Sequence, residues 1–217
     1  MNLKSLIVLA GSLLISCLLT AQNFTPAEKS LIMAGDTAKM MRVLIYTNDA
    51  DLKVLNSEST DIDPSDPLLP LLARRMYKAM RDSANSGVGI AAPQVGINRN
   101  VIWVQRFDKS GSPFEFYINP RITKYSILNR KGGEGCLSVP EERGLLLRSY
   151  AILIEYQSFD GTRHHELIED FTSVIFQHET DHLKGFLFPD RMREQQSAIS
   201  LPLPQNVELF IRPQMVR

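Results

Sequence analysis

His178, Glu179, Thr180, Asp181 and His182 spell H-E-x-x-H. On a helix, a spacing of four puts both imidazoles on one face, with Cβ atoms roughly 5 to 6 Å apart, so that two nitrogens can bind one ion. Glu179 then lies about 100° further round, close enough to the ion's water to take its proton without being a ligand. A hydrolytic metal site needs three protein ligands and an open position, so a third donor must come from elsewhere in the chain. Cys136 is the best candidate, since it follows Gly132-Gly133-Glu134-Gly135, where the glycines let backbone approach a ligand closely. His164 and His165 compete for the role, but beside a turn on a strand they read as solvated polar residues. A further glycine-rich stretch, residues 87–94, lacks the lysine of a phosphate-binding loop and is no nucleotide site. Gln94 at its end nevertheless supplies an amide donor able to meet charge developing on a carbonyl oxygen.

These residues need elements to hold them. Asp66-Pro67 offers an N-cap followed by proline, and Leu68, Leu69, Leu72, Met76, Ala79 and Met80 recur at helical spacing, which predicts a helix over 67–84 stopped by Asn85-Ser86-Gly87. Residues 101–104, 114–118 and 151–156 are short runs of aromatic and β-branched type and predict strands. Asp160-Gly161 marks a two-residue turn and makes 151–168 an antiparallel hairpin. A second helix should run from an Asp170 cap to Lys184, with Gly185 as its stop. Its apolar residues Phe171, Val174 and Ile175 share a stripe with both histidines, which turns the imidazoles inward. Residues 22–65 are polar and mixed, with an apolar patch at 41–46 and a loop-like cluster at 61–67. The tail from 199 to 217 shows no period and reads as irregular.

With 44% hydrophobic and 22% charged residues, the chain has ordinary globular composition, and a single domain over 22–217 is the default. Lys plus Arg equals Asp plus Glu at 24 each, so no bulk field attracts a polyanion and nucleic acid is excluded as an expected partner. A monomer is the default assembly. Residues 6–19 carry no charge, follow Lys4 and precede Thr20-Ala21-Gln22, the layout of a secretory signal over residues 1–21. The run is shorter than the roughly 18 to 20 residues of a spanning helix. Cleavage after Ala21 would export the protein to the periplasm or envelope. Leu14-Ile15-Ser16-Cys17 resembles a lipoprotein signal instead, in which Cys17 becomes the lipidated first residue. Either way Cys136 is the only thiol beyond residue 17, and no intrachain disulfide is expected.

Taken together, the three stretches resemble, in order, the signature motifs of peptide deformylases: residues 87–94 the first, 134–138 the second and 177–183 the third, with similar spacing over about 53–192. The resemblance implies an α+β fold with antiparallel β-sheets around a central helix, and removal of the formyl group from N-formyl-Met peptides or proteins with release of formate. It implies one divalent metal ion on Cys136, His178 and His182, ferrous by family and with zinc compatible with the ligand set, and Glu179 as general base. Gln94 and the backbone N–H of Leu137 would form the oxyanion hole. Val88, Gly89 and Gly135 would meet the substrate backbone, and Val174 and Ile175 would wall the methionine pocket. Two other readings stay open: an H-E-x-x-H metallopeptidase cleaving internal bonds, and a silent module that binds metal or formyl peptide. The family's usual helix after the third motif is not evident beyond Arg193.

Overall fold

A computed structural model describes residues 22–84, 86–197 and 201–203. The signal-like stretch, Cys17 and most of the tail lie outside the described residues. The architecture is α+β. Five antiparallel strands form one sheet in the order β1 (Gly89–Ala91), β2 (Val101–Gln105), β3 (Phe114–Tyr125), β6 (Ala151–Gln157) and β7 (Arg163–Glu169). A separate two-stranded sheet pairs β4 (Asn129–Cys136) with β5 (Val139–Ser149).

The period-two alternation of β2 explains the layering. Val101 and Trp103 point to one face, where α3 (Leu69–Met80) packs with Leu72, Met76 and Met80, while Ile102 and Val104 point to the other. That second face receives Ile175, Phe176 and Leu183 of α4 (Asp170–Leu183), the helix that carries H-E-x-x-H. A third apolar cluster joins Val139 and Leu146 of β5 to Leu55 and Phe188, so the small sheet also closes over a buried core.

The structure shortens the first expected helix. Asp66 accepts from the Leu68 and Phe24 N–H groups, so its carboxylate closes a turn, and the helix proper starts at Leu69 and ends at Met80. The second helix also starts differently. Asp170 does not cap; it is the first helical residue, at φ 52 with its carboxylate 3.1 Å from Arg130 Nε, and Glu169 occupies the N-cap position without a side-chain cap bond. Gly185 does adopt the left-handed φ of 76 that ends this helix. The 151–168 hairpin forms, but its loop spans five residues between Gln157 and Arg163, because Asp160 accepts from Ser158 Oγ and the Thr162 N–H and widens the turn.

Residues 22–65 hold more order than their composition suggests. Thr25 and Glu28 form a reciprocal cap that starts α1 (Pro26–Met33), and Asn48 caps α2 (Asp49–Leu55). The third motif is followed by a helix, α5 (Phe188–Gln195), which the sequence pattern did not reveal; the tail expected to be irregular over 199–217 lies almost wholly outside the described residues. The Gln195 amide of α5 pairs with both the N–H and the C=O of Leu147 and so seals the free edge of β5.

Candidate active site and metal centre

Residues far apart in sequence converge where α4 passes under the end of the small sheet. Cys136 ends β4 at a register shift, His178 and His182 lie one turn apart on α4, and the three ligand atoms fall within 4.8 Å of one another. Cys136 Sγ is 3.2 Å from His182 Nε2. His164 and His165 are elsewhere: His164 stacks on Tyr156 and meets Ser158, and His165 faces Glu155. Their bland reading holds.

The site is built on a buried charge relay that sequence reasoning did not find. His178 Nδ1 is 2.9 Å from Glu134 Oε2, and Arg148 holds that carboxylate through two contacts of 2.7 and 3.0 Å. Arg148 also reaches Asp181 at 2.6 Å, and Asp181 in turn holds Arg191. Burial raises the Glu134 carboxyl, but its bonds to His178 and Arg148 outweigh that and bring it down to about 2. A fixed anion on Nδ1 leaves Nε2 of His178 to face the cluster and orients the ring. Glu134 and Asp181 stand inside the two motifs, so a carboxylate partner for a ligand histidine could have been sought there. Arg148 carried no local signal, since only the β4–β5 register brings it across from Arg130.

Glu179 lies 3% exposed beside the ligands, and burial, countered by His178, pushes its carboxyl up to about 7. That value suits an acid that takes and returns a proton near neutrality. The carboxylate fits only because position 89 is glycine: a Cβ there would meet the Glu179 carboxyl and lie 2.9 Å from Ile175 Cγ2. Gln94 is fixed by the Ala91 N–H, which donates to its Oε1 at 2.8 Å. Its NH2 group then points at Cys136 Sγ, 3.4 Å, and Ser138 Oγ, 3.3 Å. The backbone of residues 44–46 ties the two loops together, with Leu44 donating to the Gln94 carbonyl and Tyr46 to that of Ser138.

A cavity of about 300 Å³ opens onto this cluster, and Val88, Gly89, Gly135, Leu137, Val174 and Ile175 all line it, as do Phe171 of the same helical stripe and Arg143, which the sequence did not single out. The residues present fit a metal. One sulfur and two imidazole nitrogens converge, a donor set suited to a divalent transition ion with room for a further ligand. Glu179 Oε2 and His182 Nδ1 are buried without a hydrogen-bond partner among the described residues, so the protein does not itself satisfy the polar groups it has gathered.

A soft three-donor cluster with a buried acid beside it, at the head of a cavity, defines a metal-dependent hydrolase. The comparisons narrow the class. The polypeptide deformylase family matches residues 40–198. A peptide deformylase of Caulobacter sp. (strain K31) is 38% identical over 152 residues, covering 70% of this chain and 87% of that protein. One from Synechocystis is 40% identical over 141 residues, covering 64% and 74%. Among solved structures, the Thermotoga maritima peptide deformylase aligns with a TM-score of 0.63 at 33% identity, covering 70% of this chain and 97% of the other. An Acinetobacter baumannii peptide deformylase bound to Met-Ala-Ser aligns with a TM-score of 0.60, also at 33% identity, covering 70% and 98%. The chain belongs to the peptide deformylase family, metal-dependent hydrolases that remove N-formyl groups.

Proposed function

We propose that this deformylase uses Cys136, His178 and His182 to hold one divalent ion, Fe2+ in the native protein with Zn2+ as substitute, and acts on N-formyl-Met peptides outside the cytoplasm. The observation that carries the site assignment is the convergence of the three ligand atoms within 4.8 Å, with Glu179 buried beside them. When bound, the ion supplies Lewis-acid polarisation and makes water a nucleophile at neutral pH. Glu179 accepts the proton of the attacking water and returns it to the leaving amine, giving formate and a free N-terminus. The Gln94 amide and the Leu137 N–H meet the negative charge that develops on the formyl oxygen. Val88, Gly89 and Gly135 align the substrate backbone as an added strand, and Val174 and Ile175 receive the methionine side chain.

Supporting an extracytoplasmic setting, residues 6–19 are uncharged and precede a full catalytic set, while the family match begins only at residue 40. The test is formate release from formyl-Met-Ala-Ser by anaerobically purified protein of measured metal content, beside cleavage of the unformylated peptide. Cleavage of internal bonds without formate release would reject the reading. Terminal sequencing of the envelope fraction tests export: Gln22 or lipidated Cys17 supports it, and an intact Met1 chain in the cytosol rejects it.

A further inference from the structure

Arg143 is an exposed cation at the rim of the catalytic cavity, and the mechanism leaves it without a task. Its guanidinium lies over Gly135. A Cβ at that position would collide with Arg143 and come within 2.6 Å of its Cζ, so the absence of a side chain is what admits the guanidinium. Gly135 sits in the register shift between Glu134 and Cys136, one residue from the metal cluster, so the Arg143 head lies beside the reacting end of the cavity.

Two of the nearby acids are engaged elsewhere. Glu134 is held by Arg148 and His178, and Glu142 accepts from the Tyr46 hydroxyl at 2.6 Å. Among the described residues no carboxylate pairs with Arg143, whereas Arg42, Arg99, Arg106, Arg121 and Arg148 all have acidic partners. A planar fork of five donors left open on a cavity wall matches a carboxylate.

We propose that Arg143 is a specificity residue that binds a carboxylate on the part of the substrate just beyond the formylated methionine. The inference rests on the deformylase reading above, in which the formyl end lies at Cys136 and Glu179, the methionine side chain lies against Val174 and Ile175, and the peptide leaves past Gly135. The carboxylate has two sources, the free C-terminus of a short formyl peptide or an acidic side chain at the second or third position. A short formyl peptide carries such a charge close to its methionine; an internal stretch of a long chain carries it only if acidic.

The experiment measures kcat/KM for formate release from four substrates: formyl-Met-Ala-Ser with a free C-terminus, its C-terminal amide, and the amides of formyl-Met-Ala-Asp and formyl-Met-Ala-Asn. The native protein should prefer the free acid to its amide, or Asp to Asn, by about threefold to fivefold, the upper range for an exposed ion pair. The preference should reside in KM and shrink with added salt. In Arg143→Gln, which keeps a planar group over Gly135 without the charge, it should vanish, and in Arg143→Lys it should survive in part. Which pair shows the ratio identifies the source. Equal rates within both pairs in the native protein, or a ratio unchanged in Arg143→Gln, would overturn the proposal while leaving the deformylase reading in place. Absence of formate from all four would overturn that reading, and this one with it.

Discussion

Arg106 and Arg148 are each buried against two or more acids, and they serve different ends. Arg106 is 2% exposed and bonds Asp108, Glu115, Glu166 and the Tyr117 hydroxyl, but its acidic partners keep 28 to 32% of their side chains in contact with solvent. Arg148 is 7% exposed and its partners Glu134 and Asp181 are themselves only 6 and 11% exposed. The first network closes on itself between β2, β3 and β7. The second ends on a ring nitrogen of His178, so its geometry is passed to the cluster of metal-ligating atoms. Desolvating both members of an ion pair rarely adds stability. Where a chain does so next to a ligand, the return is orientation of that ligand.

The largest effect should come at the chemical end of the Arg148 network. Glu179→Gln should keep metal yet lose about 100-fold to 10,000-fold in turnover, because the side chain moves protons without coordinating. Cys136→Ser exchanges a soft thiolate for a poor ligand and should lower metal content along with rate. Metal analysis beside formate release distinguishes them; equal metal loss in both variants would remove Glu179 from its assigned role.

Breaking the arginines separates the networks themselves. Arg148→Met leaves Glu134 buried without its arginine, while Asp181 keeps Arg191, and should cost about 3 to 5 kcal/mol in urea unfolding, with weakened metal retention as the carboxylate that orients His178 loses its anchor. Arg106→Met should cost less, about 1 to 2 kcal/mol, since its acids can regain water, and should leave metal content unchanged. If the Arg106 variant lost metal as readily as the Arg148 variant, the division between an orienting and a closed network would be wrong.

The same contrast explains what could be read from sequence. His178, Glu179 and His182 were legible because helical spacing alone places them, and Cys136 because a soft donor stood in a glycine-rich turn. The β2 and β6–β7 strands were legible from period-two patterning. Arg148 was not, because its role follows from the pairing of β4 with β5, and a strand whose burial alternates with exposed glycines such as Gly133 shows no clean apolar period. Nor were α1 and α2, of eight and seven residues, whose hold on the fold comes from tertiary bonds such as Arg99 to Glu28 and Arg75 to the carbonyls of Leu31 and Ile32. Both ends of the catalytic helix were legible to within a residue, through Asp170 and Gly185, although Asp170 is the first helical residue and pairs with Arg130 instead of capping.

The smallest effect sharpens the Arg106 side, well away from the ligands. Asp108 is held below its ordinary value of 3.8 by the bond from Arg106, against burial. At Glu115 burial raises the carboxyl, but bonds from Tyr117 and Lys109 and the charge of Arg106 bring it below the ordinary 4.5. A carboxylate whose folded value is depressed contributes its full stability above its unfolded value and loses it as pH falls through the folded one. The Arg106 contribution should therefore be complete above about pH 5 and fade on acidification below the ordinary carboxylate range. In urea titrations the midpoints of the native protein and Arg106→Met should stand furthest apart near neutrality and converge as pH falls toward about 3. A gap that stays constant over that span would mean that Arg106 stabilises the sheet by packing, against Phe176 for example, and not through the charges of Asp108 and Glu115.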